Sequence, residues 1–192
     1  MSAVTSLTLD VTDAAQIRGA VEKVDSLDLL INNAGLQPFD DLSDRSVLER
    51  TLAINLLGPY DMIRAFLPLL TRSRGAVVNN VSLSALAPVP LAPAYSISKA
   101  AAFSLTRSLR VLLAGRGVRV HAVLAGPIDT EMTQDLDIPK TSPESVARAI
   151  FDGVEHGDED ILPDPLSTSV AESWRSGEAK ALERQFAALA GL

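Results

Sequence analysis

The chain has 192 residues, 47% of them hydrophobic, and a formal charge of −7, which fits one domain with a sizeable core and excludes a disordered chain. An acidic balance without a basic run argues against nucleic acid or an anionic membrane as partner, and no window approaches a membrane span, so the cytoplasm is the default location. There is no cysteine, hence no disulfide or thiolate chemistry, and His121 and His156 lack ligand-like neighbours, so no metal site is expected.

Val4 to Leu9 alternates and reads as a strand, running through Asp10-Val11-Thr12-Asp13 into a helix from Ala14 to about Lys23. Leu27 to Ile31 is a short apolar run suited to a buried parallel strand, ending in Asn32-Asn33-Ala34-Gly35. Ser43 can cap a long helix to about Thr71, interrupted by Gly58-Pro59; Pro59 cannot donate to the carbonyl of Asn55, so Asn55 offers a side chain and a freed carbonyl to a water, or simply marks a packing kink. Ala76 to Ser82 is the next strand, and a proline-punctuated loop leads to a helix from Pro93 to about Ala114. Val118 to Leu124 is a strand, Ser142 caps a helix to about Glu155, Asp160 to Pro163 is a short strand, and an alanine-rich helix from about Ser167 to Ala190 closes the chain. Strands alternating with helices predict an α/β fold with a doubly wound parallel sheet in one domain spanning 1–192.

Tyr95 and Lys99 are four apart at the start of a helix and share one face. Such a pair is commonly a solvated surface pair. Here a lysine ammonium and the positive helix end would both favour the phenolate, making Tyr95 a general acid/base. Asn32–Gly35, Asn55, Ser82 and Tyr95/Lys99 all fall at the carboxyl ends of strands or in the helices just after them, where open α/β sheets place ligands.

In order and spacing, with Ser82 thirteen residues before Tyr95, these features resemble the classical short-chain dehydrogenase/reductase family. The resemblance runs from Leu9-Asp10-Val11 through Gly75–Asn79 to Pro127-Ile128-Asp129-Thr130. It implies hydride transfer between NAD or NADP and a small-molecule carbonyl or alcohol, with Tyr95 as acid/base and Ser82 holding the substrate oxygen. It further implies that Lys99 lowers the phenol pKa and binds the nicotinamide ribose, and that Asn55 positions a water. Asp10 and Val11 would contact adenine, Asn33, Ala34 and Gly35 would bring backbone to the cofactor, and Ile128 and Thr130 would meet its carboxamide end. The family associates through helices corresponding to 43–71 and 93–114, which implies a homo-oligomer. Met132, Leu136 and Ile138 suggest an apolar lid, or residues packed on the final helix.

Two departures stand out. Gly126-Pro127 replaces the family's Pro-Gly order, and the Gly-rich strand-turn-helix that cradles the pyrophosphate is absent from these residues, as is the residue that selects NAD or NADP. The chain therefore reads as lacking the family's first two strands, with weakened cofactor binding. The alternative reading is a catalytically impaired paralogue that acts as an oligomer partner or is inert. In the family's strand order the 4–9 segment would stand about 14 Å from 27–31 once two strands are removed. The expectation is that it slides inward and pairs with 27–31.

Overall fold

Among the described residues, four parallel strands make one sheet in sequential order: β1 (Leu29–Asn32), β2 (Ala76–Asn80), β3 (Arg119–Val123) and β4 (Asp160–Ile161). The computed structural model describes residues 4–189. Helices cover both faces, giving a Rossmann-like α/β fold. Leu30, Val77 and Val120 point to the face covered by α1 (Ala14–Val21), α3 (Gly58–Ser73) and α4 (Pro93–Ala114), where Ile17, Ile63, Phe66, Leu70 and Leu113 fill the core. Val78, Val123 and Ile161 point the other way, against Val154 of α5 (Pro143–His156). That second layer does not reach the end of β1, and Ile31 is left 41% exposed.

The inward slide of residues 4–9 does not occur. The segment is not a strand and forms no ladder with β1; residues 4–8 are exposed. Leu9 and Val11 instead pack on the core beneath α3, and Val11 sits so close to Gly58 that a Cβ there would lie 2.8 Å from its Cγ2. Asp10 then turns the chain, its carbonyl accepting from Asp13 N–H, and the Asp13 carboxylate caps α1 through Ala15 and Gln16. Packing on the helix layer thus holds the segment away from the sheet edge.

Helix α2 (Arg45–Leu52) is capped by Asp44 rather than Ser43. It runs without a break through a π-helical turn, Ala53–Leu57, into α3. Gly58 N–H reaches the Ala53 carbonyl, five residues back. The wider turn accommodates Pro59, which has no N–H for Asn55 and whose ring would crowd that carbonyl. The expected kink is therefore a local widening. The expected C-terminal helix is three pieces, α6 (Pro165–Ser169), α7 (Ala171–Ser176) and α8 (Glu178–Leu189), with a turn at Val170 and extended backbone at Gly177; its expected end at Ala190 lies outside the described residues. Asp160 ties α7 and α8 to the sheet, accepting from Trp174 Nε1 at 2.9 Å and Lys180 Nζ at 2.8 Å. His121 is buried with Nδ1 2.6 Å from the Asp158 carbonyl oxygen, and His156 ends α5 at the surface.

Candidate functional site

The carboxyl ends of β1 and β2 carry a ladder of amides. Asn32 Nδ2 donates to Asn79 Oδ1 at 2.8 Å, Asn79 Nδ2 donates to Thr106 Oγ1 at 2.9 Å, and Asn80 Nδ2 donates to Asn33 Oδ1 at 2.8 Å. These bonds join both strand ends to each other and to α4. Asn32 and Asn79 enter the sequence reading only within the stretches Asn32–Gly35 and Gly75–Asn79; two amides following apolar strand residues were the signal, since buried amides need partners.

Asn55 is 2% exposed and its side chain is fully committed. Its Oδ1 accepts from Leu36 N–H, and its Nδ2 donates to the Leu36 carbonyl and to Ser98 Oγ, each at 2.8 Å. Ser98 Oγ in turn donates to the Tyr95 carbonyl at 2.7 Å. That side chain clamps the loop after β1 to the helix of Tyr95. A cavity of about 10 Å³ lies beside it, lined by Asn32, Asn79, Asn80, Lys99 and Pro59 among others. That is near the lower limit for one water.

Helix α4 presents Tyr95 and Lys99 over the end of β2. Its N-cap position is Ala92, which has no side-chain acceptor, and Asp40 supplies one from the loop between β1 and α2 by accepting from Ala94 N–H at 3.2 Å. Lys99 is 6% exposed, and its Nζ donates to the Asn80 carbonyl at 2.7 Å. Burial pushes its pKa down to about 8. The ammonium stands over the Tyr95 ring, 5.5 Å from its centroid, while engaged with the strand. Burial pushes the Tyr95 phenol up, and hydrogen bonding from Ser82 and then Ser84 pulls it partly back. Desolvation is the largest effect on the phenol, and an acidic cap sits at the positive end of α4.

Ser82 ends the segment after β2 and caps a 3-10 turn, Leu83–Ala85, its Oγ accepting from Ser84 N–H at 3.0 Å. Gly35 borders the lysine: a Cβ on it would stand 3.6 Å from Asn55 Oδ1 and 3.9 Å from Lys99 Nζ. Beyond β3, the Asp164 carboxylate accepts from Gly126 N–H at 2.8 Å and so anchors the loop carrying Ile128 and Thr130. Ile128 packs on the core of the α5 layer, and Thr130 caps a short 3-10 turn, Glu131–Thr133. Met132 and Ile138 are exposed and Leu136 is half-buried. Asp10 stands apart, exposed, with its carboxylate accepting from Thr12 N–H and Oγ1; those bonds hold its pKa below the usual carboxylate range.

A family model described as short chain dehydrogenase matches residues 2–140. The chain is 38% identical over 149 residues to 2-(S)-hydroxypropyl-CoM dehydrogenase 3 of Xanthobacter autotrophicus, covering 73% of this chain and 58% of that protein. A second protein of that organism, named inactive 2-(S)-hydroxypropyl-CoM dehydrogenase 2, is 36% identical over 149 residues, 73% of this chain and 65% of its own. A short chain dehydrogenase from Burkholderia cenocepacia J2315 in complex with NADP superposes with a TM-score of 0.84 at 32% identity, over 94% of this chain and 79% of its own.

Proposed function

The chain belongs to the short-chain dehydrogenase family, and from that premise we propose that it serves NAD(P)-dependent oxidoreduction of a small carbonyl or alcohol, with Tyr95 as acid/base. The observation that carries this reading is the meeting of Ser82, Tyr95 and Lys99 at the sheet's carboxyl edge, with Asn55 bracing the loop that faces them. Ser82, held as an acceptor by Ser84 N–H, keeps a hydroxyl proton that it can turn to a substrate oxygen. Tyr95 gives its proton to that oxygen in reduction and takes it back in oxidation. Lys99 keeps two further donors for a ribose, and the bare backbone at Gly35 leaves room for a ligand to approach them. These residues fit the nicotinamide–ribose end of such a cofactor, and the solved relative named above binds NADP. The chemistry a bound nicotinamide supplies is the hydride transfer. Asn33, Ala34, Ile128 and Thr130 are assigned to the same end and Asp10 and Val11 to the adenine.

We also infer a homo-oligomer through α2–α3 and α4. Of the apolar residues on α4, Phe103 is buried and Leu109 packs on the core, so the outward face is Ile97 and Leu112 with Leu57 and Tyr60 from the neighbouring helix. A second reading, an impaired member that acts as an oligomer partner, is supported by the raised phenol and by a lysine engaged with Asn80 rather than with the Tyr95 hydroxyl. Fluorescence titration with NADH and NADPH separates the two. Saturable binding that Lys99→Met weakens supports the enzyme; no binding at millimolar nucleotide supports the partner.

A further inference from the structure

We propose that Trp174 is a positioning residue for Ser82 and Tyr95: through Phe103 and the apolar cluster under the Ser82 turn, it braces both against the C-terminal helices. Trp174 lies on α7, beyond the residues 2–140 that the family model matches. Its indole is held at the nitrogen and at the ring. Nε1–H donates to Asp160 Oδ2 at 2.9 Å, and that carboxylate is itself fixed by Arg110 at 2.9 Å and Lys180 at 2.8 Å. A donor bonded to a charged acceptor that has its own partners leaves the ring little freedom to turn. The ring meets Phe103, centroid to centroid at 5.6 Å and tilted by 48°.

Phe103 is buried one turn after Lys99, on the helix that carries Tyr95. Its ring is held a second time: Arg107 Cζ stands 4.7 Å from its centroid, and the same guanidinium reaches Glu183 of α8 at 3.5 Å. Trp174 also packs on the buried cluster of Val81, Phe103, Ala122 and Leu124, and Leu83 of the turn packs on that same cluster. Val81 and Leu83 flank Ser82. Val81 N–H donates to the Val123 carbonyl and Leu83 N–H to the Ala125 carbonyl, each at 2.9 Å. The chain is extended at Ser82, so its side chain leaves on the face opposite to theirs. Whatever seats Val81 and Leu83 therefore sets the direction of the Ser82 hydroxyl, while Phe103 seats the helix of Tyr95. The catalytic meaning of this brace rests on Ser82 and Tyr95 serving the proposed reaction; the brace itself does not.

Hydrogen exchange followed by NMR at the amides of Leu83 and Leu30 separates a local brace from general stability, since Leu30 belongs to β1 and to the core under α3. Trp174→Leu is expected to quicken exchange at Leu83 about tenfold more than at Leu30, the strength of one aromatic pair. Trp174→Phe keeps a ring against Phe103 and is expected to stay within a few-fold of the unaltered chain. In turnover, Trp174→Leu is expected to lower kcat about tenfold and to leave the dissociation constant for NADH in place, because it loosens the Ser82 turn and not the nucleotide's seat. Exchange at Leu83 that changes no more than at Leu30, an equal loss in Trp174→Phe, or an unchanged kcat in Trp174→Leu overturns the proposal. If circular dichroism shows Trp174→Leu unfolded, Phe103→Leu, which removes the partner ring, is read by the same criteria. Absence of turnover in the unaltered chain would count against the proposed function, and the exchange at Leu83 would still decide the brace.

Discussion

Replacing Asn55 by alanine tests whether its side chain is a clamp rather than a water ligand. The substitution removes three hydrogen bonds at once, to Leu36 N–H, the Leu36 carbonyl and Ser98 Oγ. A net bond contributes about 1 kcal/mol, and each group left dry without a partner adds to that. The sum is about 3 kcal/mol, or roughly a 150-fold change in the ratio of folded to unfolded chain. Urea unfolding followed by circular dichroism measures the loss, and hydrogen exchange at the Leu36 amide locates it. The clamp requires both a large loss of stability and faster exchange at Leu36. A loss below about 1 kcal/mol with unchanged exchange at Leu36 would refute it.

Lys99 has a pKa pushed down to about 8 from 10.5, so between those values the unfolded chain binds more protons and stability rises with pH. The gain from Lys99 is about 3 kcal/mol across that window, absent in Lys99→Met, while Tyr95 opposes it above pH 10; urea midpoints at successive pH values measure it. Asp40→Ala removes the acceptor for Ala94 N–H and is expected to cost about 1 kcal/mol in urea unfolding; no loss would show that water caps α4 equally well. Gly75→Ala sets a Cβ 2.4 Å from the Asp28 carbonyl oxygen, a backbone atom that cannot step aside, and is expected to destabilise by more than Gly58→Ala, where the clash is with the Val11 side chain. Multi-angle light scattering at micromolar concentration is expected to show an oligomer that Leu112→Glu weakens; a monodisperse monomer of the unaltered chain would contradict the inferred interface.

The parts of the fold set by periodicity were readable from the residues alone. Ala76–Val78 is apolar because both sheet faces are covered there, and the helix of Tyr95 declares itself through Pro93 and its apolar face. The alternation of Val4–Leu9 has the same local signal but no free neighbour within reach, since Leu9 and Val11 are held by the core under α3. Strand character there depended on a partner that local sequence cannot supply. The family pattern pointed to Asn55, Ser82, Tyr95 and Lys99, but not to the direction of their hydrogen bonds. The engagement of Asn55 with Leu36, the cap from Asp40 and the tie from Asp164 to Gly126 are contacts between residues far apart in the chain, and each follows from a buried polar group finding its partner.

The central claim is that Tyr95 moves the proton in a nicotinamide-dependent reaction. The direct test follows absorbance at 340 nm with millimolar NADH or NADPH and a panel of small ketones and aldehydes, comparing the unaltered chain with Tyr95→Phe. The account predicts turnover in the unaltered chain and a loss of about 10²- to 10⁴-fold in kcat for Tyr95→Phe, with nucleotide binding retained. Turnover by Tyr95→Phe within a few-fold of the unaltered chain, or nucleotide binding without any turnover across the panel, would contradict it.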